Sequence, residues 1–237
     1  MGKFYFLLPL IMSVKEKLKK IKNDKYKEFS SRLVFTKYEI LGVTIPNIKK
    51  IALSFAENEK YAYLNSSLNN KTFEEIMLYG FTLSTLKSYD IFFRYLDKFL
   101  PFIDNWSVCD SCVSSFKIIK SNQDKFLPFI DNLLSSNEPF YIRVALVSLL
   151  RFYMEEKYLS YVFTKINAIK NDNYYVSMAI SWLLSEYFIK FKSQTIDFLL
   201  NANLNDFIVN KTVSKIRDSL RVSKEDKDFV LTLKANY

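Results

Sequence analysis

The chain of 237 residues is 49% hydrophobic and 25% charged, as in an ordinary globular protein, but it has only 3 glycines and 5 prolines. So few turn-forming residues argue against a β-sandwich or a glycine-rich α/β array and favour an almost entirely helical fold. The absence of histidine excludes Ser-His-Asp and Cys-His catalysis and most zinc chemistry. The formal charge of +9 favours a polyanionic partner such as nucleic acid, unless the lysines merely cover solvated faces.

The first twelve residues carry a short apolar run, Phe4 to Ile11. The run is too short to span a bilayer, and charged residues follow it instead of the small residues of a cleavage site. We interpret residues 1–12 as an extension, either a stray helical arm or a stretch before the natural start at Met12. A single domain is expected over residues 13–237, and no other segment resembles a membrane span.

The next part of the chain predicts a series of helices. A basic amphipathic helix, in one or two pieces, is expected over residues 13–35. Pro46 suits the first turn of a helix, so the turn before it predicts a helix from Asn47 to Glu57. Further helices are expected over residues 60–67, 72–86 and 89–100.

A four-residue signature recurs from residue 105 onward. It reads Asn-Trp-Ser-Val at 105, Pro-Phe-Tyr-Ile at 139, Asn-Tyr-Tyr-Val at 173 and Asp-Phe-Ile-Val at 206. Its last members, 34, 34 and 33 residues apart, are expected to be buried at equivalent positions: Val108, Ile142, Val176 and Val209. Second helices are expected over residues 123–134, 156–169 and 193–200. A helix pair recurring at this period predicts an all-α, HEAT-like helical-repeat solenoid.

Cys109 and Cys112 form a lone C-x-x-C pair. A redox pair or half of a metal site would need a βαβ context, a second cysteine pair or a histidine, and the sequence has none of these. Two small buried thiols in a reducing, cytoplasmic setting are the favoured interpretation.

Stacking the repeats in register brings four chemically useful residues together. Arg143 falls in the column of Cys109, and Trp182 in the column one turn beyond Asp110. These columns and that of Trp106 span an arc of roughly 140° at about 100° per residue. They are therefore expected on the non-core face, which is commonly the concave, ligand-binding face of a solenoid. Alternatively, the tryptophans pack between helices and Asp110 pairs with Arg143 to fix the stacking.

From about residue 15 onward, the chain resembles the AlkD-type DNA glycosylases of the DNA alkylation repair family. The resemblance is carried by Gly42-Val43-x-x-Pro46, Asp104-Asn105-Trp106-x-x-x-Asp110, Ile142-Arg143-x-Ala145 and Ala179-Ile180-Ser181-Trp182-Leu183-Leu184-Ser185-Glu186-Tyr187. It implies removal of N3- or N7-alkylated purines without full flipping of the base. The residues that it implies for the lesion-facing groove are Trp106, Asp110, Arg143 and Trp182.

The implied chemistry is compatible with a protein that lacks histidine. An N3- or N7-alkylated purine is cationic and already a good leaving group, so no general acid is required. Asp110 would stabilise an oxocarbenium-like sugar and position water, whereas hydrolysis with a neutral leaving group requires two carboxylates. Trp106 and Trp182 would offer π-faces to the cation, and Arg143 would hold a backbone phosphate.

The partner implied is duplex DNA containing alkylated purines, bound by a monomer without metal, cofactor or membrane. Candidate phosphate contacts are Lys50, Lys87, Arg94, Lys117, Arg143, Arg151, Lys211, Lys215 and Arg217. Ser185 departs from the family, in which an arginine often stands at this position. That contact is either missing or supplied by Arg151, Lys211 or Lys215. The competing hypothesis is a non-catalytic helical-repeat scaffold that binds nucleic acid or protein.

Overall fold

The computed structural model describes residues 7–234, with side chains from Val14 onward. Within this range all regular elements are helical, and the chain divides into two compact units, Met1–Asn122 and Gln123–Tyr237. The all-helical fold predicted from the sequence is confirmed. Of the predicted extension over residues 1–12, residues 1–6 lie outside the described residues, and the backbone from Leu7 onward belongs to the first helix.

The described residues of the first unit, 7–122, form seven α-helices. Their bounds are Leu7–Lys20 (α1), Asp24–Leu33 (α2), Ile45–Ser54 (α3), Glu57–Asn65 (α4), Phe73–Leu83 (α5), Tyr89–Phe99 (α6) and Trp106–Val113 (α7). The prediction that one helix extends to Glu57 is wrong. The chain is extended at Phe55 and Ala56, and Glu57 begins α4 with Glu59 accepting a hydrogen bond from the Ala56 N–H.

Helix α5 is the centre of this unit, because it packs against α3 on one side and α7 on the other. Every residue of α5 is buried. Gly80 allows the close approach of α7, since a Cβ added there would lie 2.4 Å from the Cys112 Sγ atom. Cys109 and Cys112 are both buried, as the sequence predicted, and burial raises the pKa of the Cys112 thiol. The two cysteines therefore pack between α5 and α7.

A buried carboxylate connects α5 to the turn before α3. Glu74 is fully buried, and its oxygens accept the backbone N–H groups of Leu41 at 2.9 Å, Gly42 at 2.7 Å and Val43 at 3.1 Å. Gly42 has a φ of 93°, and a Cβ there would lie 2.5 Å from the Asn23 carbonyl oxygen. The turn thus needs glycine for its shape and a negative charge for its N–H groups.

In the second unit, residues 123–234 likewise form seven α-helices. Their bounds are Gln123–Leu134 (α8), Pro139–Phe152 (α9), Leu159–Ala168 (α10), Tyr174–Lys190 (α11), Lys192–Asn201 (α12), Asp206–Asp218 (α13) and Lys224–Phe229 (α14). Helix α11 packs against both α9 and α13, so the first helices of successive repeats form a row. The expected second helices are present as α8, α10 and α12, and a 3₁₀ turn, Glu156–Tyr158, precedes α10.

The recurring signature marks the beginning of a helix. Val108, Ile142, Val176 and Val209 are all buried, as predicted. The residue just before the helix is asparagine in three repeats, and each of these side chains accepts a backbone N–H of its own first turn: Asn105, Asn173 and Asn205. The period is therefore maintained by helix capping as well as by burial.

Replacing Glu74 with Gln tests the buried carboxylate. Glutamine keeps one acceptor oxygen, but its amide nitrogen would direct donors at a turn that offers only donors, so we expect the free energy of unfolding to fall by about 2–4 kcal/mol. Urea unfolding monitored by circular dichroism measures the loss. The control is Glu28→Gln, which removes an exposed ion pair with Arg32 and should cost at most about 0.5 kcal/mol. Equal losses in the two variants would contradict the role given to Glu74.

Replacing Tyr38 with Phe tests a titration at alkaline pH. Burial, and secondarily the Asp104 carboxylate, raises the pKa of Tyr38 to about 12. Because the folded pKa lies above the unfolded value, this tyrosine's contribution to stability is complete below about pH 10 and is lost as pH rises towards 12. The Tyr38 hydroxyl is buried without a hydrogen-bond partner among the described residues, so Tyr38→Phe should keep its stability at pH 7. Between pH 10 and 12, the free energy of unfolding of Tyr38→Phe, measured by urea titration, should fall less steeply with pH than that of the wild type. The same pH dependence in both proteins would contradict this prediction.

Candidate functional site

Helix α7 presents Trp106 and Asp110 one turn apart on one face, both half-buried. The helix starts at Trp106 because Asn105 caps it: the Asn105 side-chain oxygen accepts the Val108 N–H at 2.9 Å. Asn105 is fully buried and its amide donates to Asp104 at 2.7 Å, which fixes the direction in which α7 leaves the loop. The beginning of α7, and with it Trp106, is therefore rigidly placed in the first unit.

A second set of hydrogen bonds holds the Trp106 ring. The indole N–H donates to the Leu33 carbonyl oxygen at 3.2 Å. That stretch of chain is anchored by Asp104, whose oxygens accept the Thr36 hydroxyl at 2.9 Å and the Lys37 N–H at 2.8 Å. Asp104 thus connects the end of α2 to the start of α7, and Trp106 lies against the connection.

In the second unit, Arg143 does not lie on an open face. The prediction that the column of Cys109 and Arg143 is exposed is wrong, because Cys109 is fully buried and Arg143 is only 6% exposed. The guanidinium Nη1 of Arg143 donates to the Tyr175 carbonyl oxygen at 2.6 Å, at the start of α11. Helix α9 packs against α8 and α11 on two sides. Together these helices cover more of the α9 surface than the single buried face expected from the sequence pattern.

Trp182 is half-buried on α11, and Ser185 one turn later is buried. The Ser185 hydroxyl donates to the Trp182 carbonyl oxygen at 2.7 Å, so it caps its own helix backbone. A side chain in this position does not reach out to a phosphate. Ser185 therefore offers no cation at this position.

The predicted phosphate contacts are mostly exposed. Lys215 is half-buried, and Arg143 is the buried exception. Those exposed in the first unit are Lys50, Lys87, Arg94 and Lys117, and those exposed in the second are Arg151, Lys211 and Arg217. They are distributed over several repeats, as contacts to an extended polyanion require.

A cavity of about 550 Å³ lies within the first unit, where α3, α5 and α7 end. Four lysines and no carboxylate line it: Lys49, Lys60, Lys87 and Lys117. We call it the lysine cavity. Lys87 and Lys117 are among the phosphate contacts predicted from the sequence, whereas Lys49 and Lys60 are not. Nothing in the local pattern distinguishes Lys49 from its neighbour Lys50, and only the packing of three helices brings these lysines to one opening.

Comparison with protein families finds a match to the DNA alkylation repair enzymes over residues 14–218, which is most of the chain. The chain belongs to this family. A comparison with curated proteins found no match. The family match covers the segments that hold Trp106, Asp110, Arg143 and Trp182.

Membership of this family assigns the protein to DNA repair, with DNA as its substrate. The family motif Gly42-Val43-x-x-Pro46 is the turn whose N–H groups Glu74 accepts, so its role is structural. Among the described residues, no helix has both the length and the apolar character needed to cross a membrane.

Replacing Asp104 with Ala tests the anchoring of Trp106. Loss of the carboxylate frees Thr36 and Lys37, so the Leu33 carbonyl no longer holds the indole. The experiment uses a Trp182→Phe background, in which Trp106 is the only tryptophan. We expect a red shift of its fluorescence emission and stronger quenching by acrylamide, because the ring becomes more exposed to water. The Asp97→Ala variant removes an exposed carboxylate of α6 and serves as control. An unchanged emission spectrum in Asp104→Ala would refute the anchoring.

Proposed function

We propose that the protein is a DNA glycosylase that hydrolyses the N-glycosidic bond of N3- or N7-alkylated purines in duplex DNA. The observation that carries the proposal is the pair Trp106 and Asp110, one turn apart on a rigidly capped helix within the segment that matches the DNA alkylation repair enzymes. The family supplies the process and the substrate class, and the pair supplies groups suited to the chemistry.

The chemistry requires little acid catalysis. Alkylation at N3 or N7 gives the purine a positive charge, and breaking the bond to the sugar returns the bonding electrons to the ring and neutralises it. The base therefore leaves without prior protonation, in a chain that has no histidine to donate a proton. What the protein must supply is stabilisation of the positive charge that develops on the sugar, and a water molecule to attack its C1′ carbon.

Asp110 is assigned both tasks. A fixed carboxylate stabilises an oxocarbenium-like sugar most strongly where water is excluded, and Asp110 is half-buried. The same carboxylate accepts a hydrogen bond from the attacking water and takes up its proton. One carboxylate is enough because the leaving group is already activated, whereas glycosidases acting on neutral leaving groups use two.

The two tryptophans are assigned to binding. The aromatic face of Trp106 attracts the cationic base or sugar at Asp110, an interaction of about 0.5–2 kcal/mol. Trp182, in the second unit, offers another aromatic face to the DNA. Arg143 is not assigned to a phosphate, because it is buried and its guanidinium donates to the Tyr175 carbonyl oxygen. Those of the predicted phosphate contacts that are exposed, among them Lys50, Arg94 and Arg217, are assigned to further phosphates. The proposed enzyme works as a monomer without metal or cofactor.

Replacing Asp110 with Asn tests the proposal. The amide keeps the shape and hydrogen-bonding capacity of the side chain but removes its charge. We expect release of free base from duplex DNA containing N7-methylguanine, measured in single turnovers, to fall at least about 100-fold, because a preorganised charge at the reacting centre contributes several kcal/mol. Duplex affinity should stay the same or rise slightly, since an anion has been removed from a surface that binds a polyanion.

The control for this experiment is Asp97→Asn, which removes an exposed carboxylate of the same unit. It should release base at the wild-type rate. If Asp110 has only a structural role, Asp110→Asn will melt at a lower temperature and retain base release, and the proposal fails. Wild-type protein that releases no base from N3- or N7-alkylated duplexes would instead favour the non-catalytic scaffold.

A further inference from the structure

The lysine cavity lies at one end of a row of helices in the first unit. Ser84 and Ser114, which line it, are the C-cap residues that follow α5 and α7, and Phe55 is the C-cap residue of α3. The carboxyl ends of helices carry partial negative charge, so lysines near them have an ordinary explanation as helix-end cations. A ligand site requires lysine charge beyond what the helix ends need.

Hydroxyl groups already satisfy the carbonyl groups at these helix ends. At α5, Ser84 donates to the Phe81 carbonyl at 2.7 Å and Thr85 donates to the Thr82 carbonyl at 2.8 Å. At α7, Ser115 donates to the Ser111 carbonyl at 2.9 Å. These carbonyls therefore have donors without any lysine. The ammonium groups are not required for capping and are available to a ligand.

Three of the four lysines are also without a carboxylate partner. Lys60 is paired with Glu57, and its stem is buried. Lys49, Lys87 and Lys117 are exposed and form no ion pair within residues 14–234. Lys49 lies over the ring of Phe81, 4.9 Å from its centroid, and this contact restrains the side chain at the opening. Three uncompensated charges around one cavity are suited to an anion with several negative oxygens.

The lysine cavity lies close to Asp110, the proposed catalytic group, along helix α7. Ser114, at its edge, follows Asp110 by four residues, which places the two on the same face of α7, about 6 Å apart along the axis. Phosphates of one strand recur about every 3.4 Å along the axis of a duplex. A strand with a nucleotide at Asp110 therefore has phosphates within reach of the lysine cavity.

We propose that the lysine cavity binds backbone phosphates of one DNA strand, close to the nucleotide at Asp110. The binding itself is a property of the cavity, and only the identity of that nucleotide rests on the proposed glycosylase function. Lys49, Lys87 and Lys117 each neutralise phosphate charge, and the hydroxyl oxygens at the opening lie beside the strand. Neutralisation at this position also weakens the repulsion between the DNA and the Asp110 carboxylate.

The test compares two triple variants with the same loss of charge. One is Lys49→Ala, Lys87→Ala, Lys117→Ala. The control is Lys17→Ala, Lys20→Ala, Lys25→Ala, three exposed lysines of the same unit, two of which lie in the last turn of α1. Affinity for an undamaged duplex is measured across salt concentrations. Melting temperature is measured with and without inorganic tripolyphosphate, which probes binding of free phosphate.

We expect the cavity variant to lose about 10- to 100-fold in duplex affinity at low salt, and the slope of log K against log salt to become shallower by about 2 to 3. The control should change the slope by less than about 1. A duplex in which single phosphates are replaced by neutral methylphosphonates adds a positional readout. Methylphosphonates at the phosphates that lie near the cavity should weaken duplex binding by the wild type. They should leave the duplex affinity of the cavity variant unchanged.

Two results would overturn the proposal. If the cavity variant binds duplex as the control does and only melts at a lower temperature, the lysines are helix-end cations. If tripolyphosphate stabilises wild type but not the cavity variant while duplex affinity matches the control, the cavity takes a free phosphate compound. Failure of the glycosylase function is seen separately, because these measurements use undamaged DNA and involve no base release.

Discussion

Each central helix of this protein is covered by neighbours on two sides, and this constraint decides which residues are available for chemistry. Helix α5 lies between α3 and α7, and α11 lies between α9 and α13. All of α5 is consequently buried. Functional groups can occupy only a narrow strip along such a row, or the ends of its helices. Trp106 and Asp110 lie on such a strip, and the lysine cavity lies at helix ends.

The period of the repeat could be predicted from the sequence because burial and capping both follow it. Val108 and its three equivalents are buried, and asparagines cap three of the four helices that the signature begins. The exposed face was predicted less well. If each helix were covered on one side only, Arg143 would be exposed, but neighbours on two sides of α9 leave it only 6% exposed. The period of a sequence shows which face of a helix points to the core, but not how much of the helix surface its neighbours cover.

The lysine cavity illustrates a second limit of sequence reasoning. Lys49, Lys87 and Lys117 belong to three different helices or the turns after them, and no fixed spacing connects them. Composition indicates that the chain is basic, but the location of unbalanced charge depends on which lysines have acidic neighbours in space. Lys60 is neutralised by Glu57 and Lys165 by Asp131, so neither adds freely to the positive field. The net charge of +9 is therefore a weaker guide than the absence of carboxylates around one opening.

A carboxylate that works on DNA has an electrostatic difficulty, because the phosphates repel the charge that must stabilise the sugar. The difficulty grows in a half-buried site, where charges are less screened than in water. Cations close to the carboxylate remove it in two ways, by neutralising the nearest phosphates and by holding the strand in one register. A lysine cluster one helical turn from Asp110 suits both purposes. The proposed catalytic carboxylate and the lysine cavity are therefore best understood as parts of one design, in which the anion can be effective because its surroundings are cationic.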